Sequence, residues 1–406
     1  MSNKVGIYIS GLGQTLNKEN VEKYALRIKN ELNYSTEGKE FKIKTEKELY
    51  SDSLETTLVS IYHEDENNCE VIYKIYDFNY HNALTEDFKK KNILVKNIIL
   101  LWLVIKKFPL LVSKLFFYTS YNRTYLTFYA FTLFFIISLA IIFLIPASID
   151  LATKLSFTKE LVDFLKLIKM DFMLDLFSSI DMKGILKFLV PFTTLILLII
   201  PESKTIITSL ATEFASVDQY LESGEKSQLV LGNLDLLIEY IAENNLESKI
   251  HFHCYSFGSL LAFDLLFPLG NKPSRNVINR VELLITTGNP YEFINAYYPN
   301  YFLNRNFTSG PDLTWLNIYS ISDALATNFR DDNKIGEAKY GFNNNELMPI
   351  NLNYEIAPIL SLNIINFLTM HGIRIHKSYW DHTPNGQSCM RLIIDKMQEL
   401  DFIKYE

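Results

Sequence analysis

Residues 250–264 read IHFHCYSFGSLLAFD. An apolar and aromatic run ends at Tyr255, a serine follows, and Gly258 and Ser259 then open a helix-forming segment. Strand, tight turn and helix in that order are what a nucleophile elbow requires. The turn holds its central residue in strained dihedrals, and small neighbours let the helix approach the strand. In the pattern G-x-S-x-G, Gly258 fills the second glycine position and Cys254 stands where the first would be. The competing reading is a plain helix-start serine in a buried crossover.

Outward from Ser256 the chain alternates strand and helix patterns, the signature of a mostly parallel sheet with helices on its faces. Strand VGIYI (5–9) leads to GLGQ and an amphipathic helix over roughly 17–32. Strand patterns follow at 41–46, 57–62 and 71–78, with the acidic HEDENN (63–68) as a solvated turn, and a helix is predicted over 227–244. Beyond the serine, VELLITTG (281–288) leads into another helix. LTWLNIYS (313–320) leads to Asp323, and GIRI (372–375), read as a final short strand, delivers His376. The expected fold class is therefore α/β.

The middle of the chain has a different character. Residues 124–149 carry no charge, and at 1.5 Å rise per residue they exceed the ~20 residues needed to cross a bilayer. Residues 184–201 form a second apolar run, interrupted by Lys187 and Pro191. Together they predict a two-helix transmembrane hairpin inserted into the α/β unit, preceded by an interfacial helix over 93–119 that mixes apolar side chains, Trp102 and lysines. The alternative for each run is a buried core helix. The expected division is thus 1–92, a membrane insertion over 93–203, and 204–406. Lysines before the first span set the orientation, so the expectation is an integral membrane protein whose folded domain faces the cytosol. The N-terminus lacks the flanks of a signal peptide, in keeping with that side.

Net charge is −7, and no basic stripe is interleaved with exposed aromatics, so nucleic acid is not expected as a partner. The three cysteines, Cys69, Cys254 and Cys389, show no CxxC spacing and imply no disulfide. His251 and His253 share a strand face and could suggest a metal together with Cys254, but no further ligand cluster lies near them in sequence; packed histidines are the expectation, with no metal and no cofactor.

Chain order then bears on chemistry. Serine, aspartate and histidine, each after a strand, follow the order of a triad built at the carboxyl edge of such a sheet. Asp331 and Asp332 rival Asp323 as the acid, which could instead cap a helix; His371 and His382 rival His376. Through CYSFGS, ITTGNP, WLNIYSISDALA and IHKSYW the chain resembles the α/β-hydrolases of the serine lipase and esterase type. The resemblance covers about 230–382 and, more weakly, 5–32. It implies that Ser256 attacks an acyl carbonyl, that His376 relays its proton and that Asp323 orients the imidazole. It also implies an oxyanion hole from the backbone N–H groups of Phe257 and Leu12. Ser10-Gly11 replaces the His-Gly that many such proteins carry after the first strand. The implied activity is hydrolysis of an ester or thioester of a lipid or acylated substrate at a lipid bilayer. The alternative is a catalytically inactive, hydrolase-like membrane scaffold or membrane-acting effector, and the oligomeric state is left open.

Overall fold

The computed structural model describes residues 4–12, 19–36, 38–65, 68–117, 203–306, 313–342, 346–356, 371–383 and 385–404. Its centre is an eight-stranded mixed sheet in the order β2-β3-β4-β1-β5-β6-β7-β8. The strands are β1 (Lys4–Ile9), β2 (Phe41–Ser51), β3 (Leu54–Asp65), β4 (Asn68–Phe78), β5 (Lys249–Tyr255), β6 (Val281–Thr287), β7 (Thr314–Tyr319) and β8 (Ile350–Asn353). β3 runs antiparallel to β2 and β4, and every other neighbouring pair is parallel.

Burial explains the sequence pattern of these strands. β1, β5, β6 and β7 are buried on both faces and read as near-continuous apolar runs. β2 lies at an edge, where Lys42, Lys44, Glu46, Lys47 and Glu48 project a charged row that discourages pairing with another sheet. Lys42 pairs with Glu64 and Lys47 with Glu55 across the β2–β3 ribbon.

Helices cover both faces. α1 (Val21–Ser35) starts at Asn20, whose side chain accepts from the Lys23 N–H at 3.0 Å. It shares one core with Tyr8, Tyr255, Leu283, Leu316 and the C-terminal helix Cys389–Glu399. The opposite face carries Phe252, Cys254 and Trp315, alternating along their strands with the first set. There the helix Gly258–Leu266 packs, its Phe263 ring edge-on to Trp315 at 5.3 Å. Behind it runs Glu225–Asn244, burying Val230, Leu234, Leu237, Ile238 and Ile241.

The helices Ile93–Phe117 and Ser203–Ser223 flank the segment expected to cross the membrane. Among the described residues no helix is long and apolar enough to cross a membrane. That finding overturns the transmembrane hairpin in the expected fold, and with it the integral-membrane placement with a cytosol-facing domain. For the described helices on either side of that segment, the physical reason is charge. The 25-residue helix Ile93–Phe117 carries Lys96, Lys106, Lys107 and Lys114 as well as Pro109, and Ser203–Ser223 carries Lys204, Glu213, Asp218 and Glu222. The stretches 124–149 and 184–201 lie outside the described residues.

A second correction concerns GIRI, which forms no strand and lies in the short helix His371–His376; the last strand among the described residues is INLN, residues 350–353. A four-residue apolar run does not distinguish strand from helix by periodicity. By compactness the described chain forms two units, one of residues 4–84, 110–117 and 219–404, the other of 85–109 and 203–218. The sheet belongs to the first.

Candidate active site

β5 ends at Tyr255, and the chain turns sharply at Ser256, whose φ of 51° is left-handed and rare for a residue with a side chain. The turn is over-determined by its neighbours. The Ser256 N–H donates to Thr287 O at 2.8 Å, while Ser259 N–H and Leu260 N–H donate to Ser256 O and Phe257 O at 3.0 and 2.9 Å. A Cβ on Gly258 would stand 2.2 Å from the Ile9 carbonyl oxygen, so only glycine lets the helix start this close to β1. Cys254 is buried, and burial pushes its thiol well above the ordinary range, so it packs as a small neutral group.

The end of β1 packs against the same turn. A Cβ on Gly11 would lie 2.9 Å from Ser256 Cβ and 3.1 Å from the Tyr255 ring. Ser10 contributes its carbonyl, which accepts from the Tyr80 hydroxyl at 2.8 Å. Leu12, the expected second oxyanion donor, directly follows Gly11, and Phe257, the expected first donor, directly follows the serine.

Asp323 and His376 converge on Ser256. His376 Nε2 is 2.7 Å from Ser256 Oγ, and His376 Nδ1 is 2.8 Å from Asp323 Oδ2. All three residues are buried, the Asp323 side chain completely. Asp323 lies in the turn after β7 and caps no helix; its Oδ1 accepts the Leu325 N–H at 2.8 Å. Its Oδ2 accepts a second donor, the Tyr379 hydroxyl, also at 2.8 Å. The rival acids lie elsewhere, Asp331 exposed and Asp332 held by Arg330 at 2.6 Å. Of the rival histidines, His382 is exposed and His371 begins the helix that His376 ends.

Groups that sequence reasoning missed hold the imidazole. The Tyr255 ring stacks on it at 5.5 Å and 17°, and the Tyr255 hydroxyl donates to the His376 carbonyl. Gly288, at φ 62°, leaves room for it, since a Cβ there would lie 2.9 Å from His376 Cε1. Glu355 fixes the start of the acid turn by accepting from Ser320 Oγ at 2.6 Å and from Ile321 N–H at 2.5 Å. Only the position of Tyr379, three residues after His376, gave a signal in the sequence.

His251 and His253 are packed histidines. Across the sheet face they form a chain with two tyrosines and Glu282. Glu282 Oε1 lies 2.9 Å from His251 Nε2, and His251 Nδ1 lies 2.8 Å from the Tyr73 hydroxyl. That hydroxyl is also 2.8 Å from His253 Nε2, and His253 Nδ1 is 2.9 Å from the Tyr24 hydroxyl. Burial lowers the proton affinity of both imidazoles. Each of their ring nitrogens already has a partner.

The chain matches no protein-family model, no curated protein and no solved structure.

Proposed function

We propose that the chain is a serine hydrolase of the α/β-hydrolase type, cleaving an ester or thioester of a lipid or other acylated substrate. One observation carries the reading: a buried imidazole bridges a serine hydroxyl in a strained strand-to-helix turn and a carboxylate, at 2.7 and 2.8 Å. Ser256 Oγ attacks the acyl carbonyl while its proton passes to His376 Nε2. Asp323 holds Nδ1–H and so keeps Nε2 free as the base. The negative oxygen of the tetrahedral intermediate would be met by the N–H groups of Phe257 and Leu12. His376 then protonates the leaving alcohol or thiol, and water, deprotonated by the same imidazole, releases the acid and regenerates Ser256.

The test is labelling of the purified full chain with a fluorophosphonate probe, which forms a stable adduct with an activated serine. Wild type should label, and Ser256→Ala and His376→Ala should not. Asp323→Asn should label about 10⁴-fold more slowly, because the tautomer of His376 is no longer fixed. Folded wild type that does not react would overturn the reading in favour of a non-catalytic scaffold.

A further inference from the structure

Asp323 accepts three hydrogen bonds, from the Leu325 N–H, from His376 Nδ1–H and from a phenol, the Tyr379 hydroxyl. The direction of the Tyr379 contact is fixed by its surroundings. Ser320 N–H donates to the Tyr379 oxygen at 3.0 Å, leaving the hydroxyl hydrogen for Asp323 Oδ2, which can only accept. Oδ2 is also the oxygen that accepts His376 Nδ1–H. One carboxylate oxygen, on a side chain fully shielded from solvent, is therefore divided between the imidazole and a phenol.

We infer that Tyr379 is a positioning residue that sets the proton affinity of His376 by competing for Asp323 Oδ2. A donor on a carboxylate withdraws charge from it and weakens its hold on a neighbouring cation. With the Tyr379 donor present, His376 is less readily protonated and stays available as a base to lower pH. Burial keeps the phenol protonated, so it donates throughout the working range. The other titratable or charged groups around the pair are Tyr255 and, further off, Tyr8 from the strands, Glu19 ahead of α1, Glu355 after β8, Arg374 and Lys377 in and after His371–His376, and Cys389. Among the described residues, none of these groups donates to an Asp323 oxygen, whose donors are Leu325 N–H, His376 and Tyr379. The consequence for rate rests on the hydrolase reading; the consequence for His376 does not.

The ring is packed independently of its hydroxyl. It lies edge-on to Tyr255 and His376 and stacked with Tyr354, each at 6.4 Å, so Tyr379→Phe preserves shape while removing the donor. With seven histidines in the chain, histidine-labelled full-length protein gives a tractable NMR titration, and the His376 signal is assigned by its loss in His376→Gln. The midpoint of His376 should rise by about half a pH unit or more in Tyr379→Phe. It should stay unmoved in Tyr354→Phe, whose hydroxyl instead reaches the Asp381 and Gln387 carbonyls. 3-Fluorotyrosine at 379, a stronger donor of the same shape, should lower the midpoint and covers the case in which the phenylalanine variant does not fold. An unmoved midpoint with either change at 379, or an equal rise in Tyr354→Phe, would overturn the inference. Fluorophosphonate labelling of wild type in parallel reports the hydrolase reading separately. If it holds, the acid limb of the labelling rate should move with the NMR midpoint, whereas a purely structural role would lower the amplitude alone.

Discussion

Gly258 carries the sharpest constraint on a single residue. Its missing side chain lets the helix start against the Ile9 carbonyl, and a methyl group there would sit 2.2 Å from that oxygen. Backbone cannot rotate away as a side chain can. Gly258→Ala should therefore cost about 3 kcal/mol in urea unfolding and abolish probe labelling even where the chain remains folded. Gly11→Ala meets softer neighbours at 2.9 and 3.1 Å, so it should slow labelling of Ser256 with a smaller loss of stability. The sequence made Gly258 legible through its spacing from Ser256. It could not disclose Gly11 or Gly288, whose reasons are contacts with residues hundreds of positions away or in another loop. The place of Tyr379 close after His376 was visible, but its contact was not, because only the fold brings its hydroxyl to Asp323.

At the scale of elements, β5 has two distinct faces. Ile250, Phe252 and Cys254 face one helical layer, while His251, His253 and Tyr255 face the other. The alternation of histidines was visible as a pattern, but their partners come from β4, β6 and α1, so the sequence left both a metal and a packed role conceivable. Tyr73→Phe tests the packed role. It removes one hydroxyl that serves two buried imidazoles, and should cost about 2 kcal/mol or more by urea unfolding, with no metal added or removed. The delivery of His376 was misread at this same scale. Four residues of apolar pattern suggested a strand, yet the segment is a helix whose Gly372 carbonyl accepts the Ala324 N–H at 3.2 Å, tying it to the acid turn. The meeting of Ser256, Asp323 and His376 does not depend on that strand, because the helix brings His376 to the same place.

For the whole molecule, stability should depend on pH through groups far from the triad. Burial pushes Asp77, at the end of β4, up to about 7 from an ordinary 3.8. The native state then holds a proton that the unfolded chain releases above about 4, so the contribution of Asp77 is fully present below about 4 and is lost as pH rises through about 7. Asp77→Asn should gain stability relative to wild type between those limits and keep a constant gain above them, measured by thermal melts across pH. The buried imidazoles act with the opposite sign. Their lowered affinity means that the unfolded chain takes up protons below about 6.5 which the native state refuses, so acid weakens the fold through them. The α/β class was legible because alternating elements leave a periodic trace over hundreds of residues. The membrane hairpin was inferred from local hydropathy alone, which measures what a segment could do and is silent about what it packs against.

The row of side chains joining Glu282 to Tyr24 has a polarity. Burial alone would raise Glu282, but the His251 hydrogen bond with Lys4 and Lys249 outweighs it, so the carboxylate is ionised and can only accept. His251 therefore carries its hydrogen on Nε2 and accepts at Nδ1 from Tyr73. Tyr73 in turn accepts from His253 Nε2–H, and His253 Nδ1 accepts from Tyr24. One anion near the surface thus dictates the tautomers of two interior rings and the rotor settings of two phenols, and the row, like a line of compass needles, has a single low-energy orientation.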